Sequence, residues 1–306
     1  MIHTITPNPA LDISYLVDSF KFDDSLRAKK VMRDAGGKGI NLSRVAARLN
    51  HPTVAMGFVG GRSGDEIEDI LKAEGVRTWF NSLGSSTRTN TIIQDSSNKQ
   101  LRVSAPGASV TNDEVEALKK NIFSLKAPDF LALGGSLLSG MDSDFYSQIS
   151  KRAVAEGIRV VVDADNENLK KALENRVFLI KPNQHELERL TNRNIKNFSD
   201  AIEASQALLD KVEMVLCSLG PKGAILITRE QSWLAKAPKV KVDSAVGAGD
   251  SLLAGALVAI AEGKSLAEVL KLAVACGSAT ATSPGTSLCH QETVKELYGL
   301  VRLEPI

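Results

Sequence analysis

Charge imbalance is almost absent from this 306-residue sequence, in which 37 Lys and Arg face 36 Asp and Glu. No overall field exists to draw in nucleic acid or an anionic membrane, so any anion has to be captured locally. Cysteine is scarce. Cys217, Cys276 and Cys289 are odd in number and lack CxxC spacing, which argues against a disulfide framework or a thiolate zinc site and predicts reduced, mostly buried thiols. Histidine is equally sparse: His3, His51, His185 and His290 form no HExxH or HxH pairing around a transition metal. They read as surface or packing residues. No run of 18 apolar residues occurs, and the opening MIHTITPNPALDISYL lacks a basic segment followed by an apolar stretch. Neither a membrane span nor a signal peptide is predicted, and a soluble cytoplasmic protein is expected. Internal repeats and low-complexity segments are missing too.

What the sequence does have is apolar content, 43% of residues, ample for the core of one large α/β domain or two ordinary ones. From residue 127 onward, apolar runs alternate with amphipathic segments: DFLALGG, a helix from about Asp144, GIRVVVD, VFLIKPN, EMVLCSLG. That alternation predicts βαβ units and a parallel sheet. Capping-box spacing marks helix starts at Ser63 with Glu66 and at Thr111 with Glu114. Gly75 and Gly157 are placed to stop the preceding helices. Strands apolar on both faces need helices on both sides, so the fold class predicted is α/β, three layers around a mostly parallel, doubly wound sheet.

Two stretches break the alternation. Residues 12–34 (DISYLVDSFKFDDSLRAKKVMRD) and 87–105 (TRTNTIIQDSSNKQLRVSA) carry short alternating runs, polar turns and no helical period. They are predicted to be antiparallel strands of a small excursion from the main sheet, rich in Arg and Lys. So small a sheet needs a partner surface to bury its apolar face.

Chemistry concentrates in three motifs. In DSAVGAGDSLLAG, residues 243–255, Gly247 and Gly249 let the backbone turn tightly ahead of an apolar helix. The amides of Ala248, Gly249 and Asp250 can then converge on one oxyanion at a helix N-terminus, and a phosphoryl group is a natural occupant. A carboxylate beside a bound phosphate is repelled, so Asp250 is either a helix cap or a base that takes a proton from an attacking hydroxyl. The second motif, AGGKGIN at 35–41, brings backbone close to a ligand and offers Lys38 and the Asn41 amide as donors to phosphate or sugar hydroxyls. The third, KPNQHE at 181–186, follows the strand VFLI. Carboxyl ends of parallel strands are where ligands bind, which places Asn183 and Glu186 for a nucleotide phosphate or a magnesium ion, unless Glu186 only serves the helix dipole. VLCSLGPKGAILI, residues 215–227, predicts strand, glycine turn, strand, a surface for adenine. Other nucleotide signatures fail. Val258 stands where a Walker A loop ending in GKS would need glycine, and Leu252 where GxGxxG would need its third.

GGKGIN near one end and DSAVGAGDSLLAG near the other resemble the paired signatures of the ribokinase-like PfkB carbohydrate kinases, with the KPNxxE element between them. The likeness runs from TPNPALDISY to SPGTSLC. TPNPALDISY, AGGKGIN, TRTN and IKPNQHEL together are most similar to the phosphofructokinase and tagatose-6-phosphate kinase group. The resemblance implies a single domain over 1–306, a β-sheet lid built from about 12–34 and 87–105, and a homodimer shared through that lid. It implies ATP and magnesium, and it leaves room for potassium at SPG, residues 283–285.

The resemblance also implies roles. Asp250 matches the base, and Gly247, Ala248 and Gly249 the anion hole. Asp12, Gly37 and Asn41 would hold sugar hydroxyls, Arg88 the substrate's existing phosphate, with Arg27, Lys38 and Arg102 as helpers, and Ser136 would lie near the sugar. Lys181, Asn183, Glu186, Ser218, Gly220 and Gly223 match the nucleotide side, Glu186 reaching magnesium through water. Leu138 and Ala164 depart from the group's proline and hydroxyl residue. The reaction expected is transfer of the ATP γ-phosphoryl to a ketohexose phosphate, fructose 1-phosphate or fructose 6-phosphate first and tagatose 6-phosphate as the alternative. Lys38 resembles fructose-1-phosphate or tagatose-6-phosphate enzymes, whereas Arg27, Arg102 and SPGTSLC resemble fructose-6-phosphate ones. A kinase of unphosphorylated sugar or nucleoside would have no use for the lid's basic residues, and an inactive sugar-phosphate-binding regulator should show a broken GAGD or NxxE, yet both are intact.

Overall fold

The computed structural model of the protein describes residues 1–21, 23–126 and 128–306, with Asn166 described by its backbone alone. Phe22, inside the 12–34 excursion, and Ala127, at the start of the alternating stretch, lie outside the described residues. The chain opens with β1 (Ile2–Thr6), β2 (Ala10–Leu16), β3 (Lys30–Gly36), α1 (Lys38–Arg48), β4 (Thr53–Val59) and α2 (Gly61–Ala73). It continues through β5 (Arg77–Ser82), β6 (Thr89–Gln94), β7 (Gln100–Val103), α3 (Asn112–Ile122), β8 (Phe130–Gly134) and α4 (Phe145–Ala155). Next come β9 (Arg159–Asp163), α5 (Asn166–Ala172), β10 (Val177–Ile180), α6 (Gln184–Thr191), α7 (Phe198–Gln206) and β11 (Val212–Ser218). The last elements are β12 (Ala224–Ile227), β13 (Ser232–Lys236), α8 (Ala248–Ala261), α9 (Leu266–Ala281), α10 (Gln291–Tyr298) and β14 (Arg302–Pro305).

Ten strands form one sheet in the order β14-β13-β12-β11-β10-β9-β8-β1-β4-β5. Pairing is parallel from β11 to β5 and antiparallel along the edge β11-β12-β13-β14. Period-two patterning sorts the central strands between two cores. Along β8, Leu131 and Leu133 join Val115, Leu118, Tyr146, Ile149 and Ala201 of helices α3, α4 and α7. Phe130 and Ala132 face the other way, onto Leu42, Val45, Leu253, Leu257 and Val274 of α1, α8 and α9. Helix layers therefore cover both faces, as the apolar strands required. Helix α8 is buried along most of its length, so no polar face tells the sequence reader which side it packs.

The four remaining strands form a separate small sheet, β3-β2-β6-β7. Here the antiparallel expectation holds for β2-β3 and β6-β7 but not for β2-β6, which is parallel, Asp12 lying opposite Asn90. Strand alternation says which face a residue takes and nothing about its neighbour's direction, and β2 and β6 come from distant parts of the chain. The capping box at Thr111 and Glu114 forms. The one at Ser63 and Glu66 does not: the Gly60 carbonyl accepts from Thr87, α2 starts at Gly61 with Gly60 as N-cap, and Glu66 pairs with Arg33 of the small sheet. None of the described helices is long and apolar enough to cross a membrane.

Candidate active site

The carboxyl ends of β1, β8, β9 and β10 point toward the start of α8 and the small sheet. Gly247 caps α8 with φ 75, a left-handed backbone that glycine adopts without penalty. Leu288 fills the space beside it; a Cβ built at Gly247 would lie 2.4 Å from Leu288 Cδ2. The Ala248 amide, expected to face an anion, instead donates to the Ala245 carbonyl at 3.3 Å. The amides of Gly249 and Asp250 are thus the open donors of this turn. Asp250 Oδ2 accepts from Asn41 Nδ2 at 2.7 Å. Burial within dense protein pushes the Asp250 carboxyl up to about 6, the nearby Asp163 carboxylate adds to the rise, and Asn41, Lys181 and Lys38 oppose it. A carboxyl poised there can exchange a proton near neutral pH.

Two lysines flank Asp250. Lys38 Nζ lies 3.0 Å from Asp163 and 3.1 Å from Asp165, and the buried Lys181 Nζ lies 3.5 Å from Asp163. Burial works against the Lys38 charge, but Asp163 and Asp165 more than offset it and hold the ammonium firmly protonated. A Cβ at Gly249 would come within 3.3 Å of Lys181 Nζ, so the glycine keeps the anion turn open to this cation. Asp163 and Asp165 were not singled out from the sequence as site residues. Their signal was positional, an acidic pair in VVDAD at the carboxyl end of an apolar strand.

On the small sheet, Asp12 is buried and accepts from Asn90 Nδ2 at 2.8 Å. Burial raises its carboxyl, with Asn90 pulling the other way. Gly36 sits against this carboxylate, where a Cβ would be 2.3 Å from Oδ2, and Gly37, at φ 128, abuts Thr6. Arg88 donates to three backbone carbonyls, those of Asn8 at 3.1 Å, Ala105 at 3.2 Å and Pro9 at 3.3 Å. One N–H on each terminal nitrogen remains for an outside acceptor. Ser136 accepts from Asn8 Nδ2 at 3.1 Å. Arg102 lies on the same strand face as Asp12 and, among the described residues, bonds only Gln100. Arg27 is exposed in the β2-β3 connection, and among the described residues no hydrogen bond or ion pair joins it to this cluster. Asn90 and Asn8 were missed. Asn90 ends the quoted TRTN, and its amide role appears only once β6 pairs with β2. Among the described residues the buried Oδ1 atoms of Asn41 and Asn90 have no partner, which makes them acceptors suited to hydroxyl donors.

On the opposite side, Asn183 and Glu186 form a reciprocal capping box at the start of α6. The helix-start role left open for Glu186 is thus present, and it occupies one carboxylate oxygen, at 2.7 Å from the Asn183 amide. Burial raises the Glu186 carboxyl, and a hydrogen bond with Asp165 raises it further. A hydrated divalent cation would relieve the crowding of these two carboxyls. No group of three or more His, Cys, Asp or Glu spaced to chelate a metal occurs among the described residues. Ser218 bridges to Asn183 at the end of β11. Gly220 and Gly223 shape the turn to β12; a Cβ at Gly223 would strike the Ala235 carbonyl at 1.9 Å.

Residues 9–293 match the pfkB family of carbohydrate kinases. The chain is 34% identical over 304 residues to a 1-phosphofructokinase of Bacillus subtilis (strain 168), covering 99% of each chain. The crystal structure of phosphofructokinase-2 from Escherichia coli in complex with substrates and products superposes with a TM-score of 0.94 at 32% identity, over 98% of both chains. An Arabidopsis thaliana ribokinase complexed with ribose and ATP shares the fold, with a TM-score of 0.76 at 23% identity over 97% of this chain and 98% of that one.

Proposed function

The chain belongs to the pfkB family of carbohydrate kinases, and on that premise we propose that this sugar-phosphate kinase transfers the γ-phosphoryl of ATP to a ketohexose phosphate, with Asp250 as general base. The fold is ribokinase-like, and the small sheet acts as its lid. The observation that carries the reading is Asp250 itself: a carboxyl raised to about 6, oriented by Asn41 and flanked by two lysines at the N-terminus of α8. Its basic form predominates at neutral pH yet remains a competent proton acceptor. Proton uptake at Asp250 leaves the acceptor oxygen free to attack in line. Charge on the transferring group is met by Lys38, Lys181 and the amides of Gly249 and Asp250.

Asp12 and Asn90, with the unpartnered Oδ1 atoms of Asn41 and Asn90, suit sugar hydroxyls. The two remaining Arg88 N–H groups suit the phosphate already on the sugar, and a fructose phosphate is the first choice of substrate. Asp165 and Glu186 are the residues that would hold a magnesium ion, whose charge offsets that of the nucleotide phosphates. Ser218, Gly220 and Gly223 suit the nucleotide side, and the SPG turn at 283–285 suits a potassium ion. ATP chemistry and three buried, unpaired cysteines fit the cytoplasm.

ADP release coupled to a readout should be measured with fructose 1-phosphate, fructose 6-phosphate, tagatose 6-phosphate, free fructose and free ribose. One ketohexose phosphate is expected to give a kcat/KM far above both free sugars. Equal or better use of a free sugar would overturn the assignment of Arg88 and the substrate class with it.

A further inference from the structure

The small sheet does more than cover the cleft: two of its strands are hydrogen-bonded to the segments on either side of the Gly247 turn. At the end of β6, Gln94 is buried, and its Nε2 donates to Asp243 Oδ1 at 2.7 Å and to the Asp243 carbonyl at 3.3 Å. Asn98 Nδ2 donates to the Val242 carbonyl at 3.0 Å. Residues 242 and 243 are the approach to the turn. Near the end of β3, the buried Asp34 accepts the Thr286 hydroxyl at 2.8 Å. Thr286 starts the connection that brings Leu288, at φ 60, onto Gly247.

Arg44 locks this second contact. It is the largest fully buried side chain, and all five of its N–H groups are used: two on Glu74, one on Asp34 and one each on the Ala35 and Thr286 carbonyls. A guanidinium satisfied on every side leaves its partners almost no latitude. Arg44 also lies one helical turn after Asn41, which holds Asp250. Strand β3, helix α1 and the 286–288 connection therefore share one rigid junction.

We propose that Gln94 and Thr286 are positioning residues that fix the Gly247–Asp250 turn from its two sides, so that the amides aimed at the transferring phosphoryl depend on contacts carried by the small sheet. The inference rests on the kinase reading given above. It is not a claim on stability alone, since both contacts end beside the turn rather than in the core of the sheet.

The test compares wild type with Gln94→Met, Thr286→Val and Thr286→Ser, each checked for thermal unfolding. Backbone hydrogen exchange of residues 244–250 is measured without substrate, and kcat and both KM values are measured with the best sugar phosphate. Gln94→Met and Thr286→Val are expected to speed exchange of the turn and lower kcat by about tenfold, the scale for breaking one link in a coupled network. Nucleotide and sugar KM should stay within about twofold, and Thr286→Ser, which keeps the hydroxyl, should restore wild-type values. Unchanged exchange and kcat in both variants would overturn the proposal, as would an equal kcat loss in Thr286→Ser. A wild type inactive on every sugar phosphate would sink the kinase reading instead, and the exchange data alone would then decide the tether.

Discussion

Asp250 is where chemistry and stability pull apart. Its folded-state value of about 6 lies above the ordinary 3.8, so the stability it contributes is complete below 3.8 and is lost as pH rises through 6. At pH 7.5 the ionised carboxylate weakens the fold it serves. Asp250→Asn should therefore raise stability there by about 1–3 kcal/mol, with the gain vanishing toward pH 4. Activity should move the other way. The variant keeps an oxygen for Asn41 but accepts no proton, and kcat is expected to fall by roughly 10²- to 10⁴-fold with ATP and sugar-phosphate binding retained. In wild type, kcat should drop on the acid side through about 6 with a slope of one proton. Calorimetric binding, thermal unfolding and turnover across pH decide this; a folded Asn variant within about threefold of wild-type turnover removes Asp250 as base.

Arg88 has a structural role and a proposed role toward the substrate, which one substitution can separate. Arg88→Ala strips donors from the carbonyls of Asn8, Pro9 and Ala105, so a stability loss of about 1–3 kcal/mol is expected. If its two remaining N–H groups also meet the sugar's phosphate, kcat/KM for the sugar should fall by about 2–4 kcal/mol while the KM for ATP stays put. Steady-state kinetics with each substrate varied in turn reads the difference. A stability loss with unchanged sugar kinetics would leave Arg88 a purely structural residue.

At the scale of elements, the two glycines of the turn make opposite demands. Gly247 needs its left-handed φ and has Leu288 against it, so Gly247→Ala should cost about 1–2 kcal/mol from the backbone alone and disturb the turn. Gly249 has ordinary helical geometry inside α8, where alanine is favoured by about 0.5–1 kcal/mol. Its methyl, however, would sit 3.3 Å from Lys181 Nζ, in the space proposed for an anion. Gly249→Ala is expected to match or exceed wild-type stability while turnover falls by about 10- to 100-fold. Paired melting and kinetic measurements check both; equal behaviour of the two variants would mean that the turn has no anion to hold. These differences were only half legible in the sequence. Glycine at 247 and 249 showed a tight turn, but the left-handed residue, the Leu288 contact and the Ala248 amide's use by Ala245 depend on chain brought in from elsewhere.

The same limit governs the other elements. Apolar runs gave β8 to β11 and the layers around them, because burial on both faces leaves a composition that nothing else explains. A local box gave α3, whereas the box that starts α6 reads in the sequence only as a glutamate favoured by the helix dipole. The parallel register of β2 on β6 and the start of α2 at Gly61 come from tertiary hydrogen bonds, which leave no local trace. Motif residues such as Asn41, Lys38 and Glu186 were visible for the same reason the strands were, as unusual residues in a short pattern. Asp163, Asp165 and Asn90 became site candidates only when strand ends met in space.

For the whole molecule, the small sheet leaves a surface unexplained by one chain. Its inner face carries Asp12, Asp34, Asn90, Gln94 and Arg102, and at the base its outer face packs Leu11 and Ala35 on Ile67 and Leu71 of α2. Farther out, the rows Val31-Tyr15-Ile93-Leu101 and Arg33-Ile13-Thr91-Val103 run across four strands. Val31 is 50% exposed, Leu101 50% and Val103 57%. A sheet this small is marginal unless its apolar face is covered, and a second copy of the same face is the self-complementary solution. Sedimentation at micromolar concentration should give twice the 32.7 kDa chain mass, and Leu101→Asp, which buries a charge in that face, should give a single chain. Because the inner face of the same strands carries Asp12 and Asn90, losing the outer support should raise the sugar KM several-fold and leave ATP binding to the large sheet's edge intact. A wild type that sediments as one chain across that range, with Leu101→Asp unchanged in sugar KM, would show that the face needs no partner.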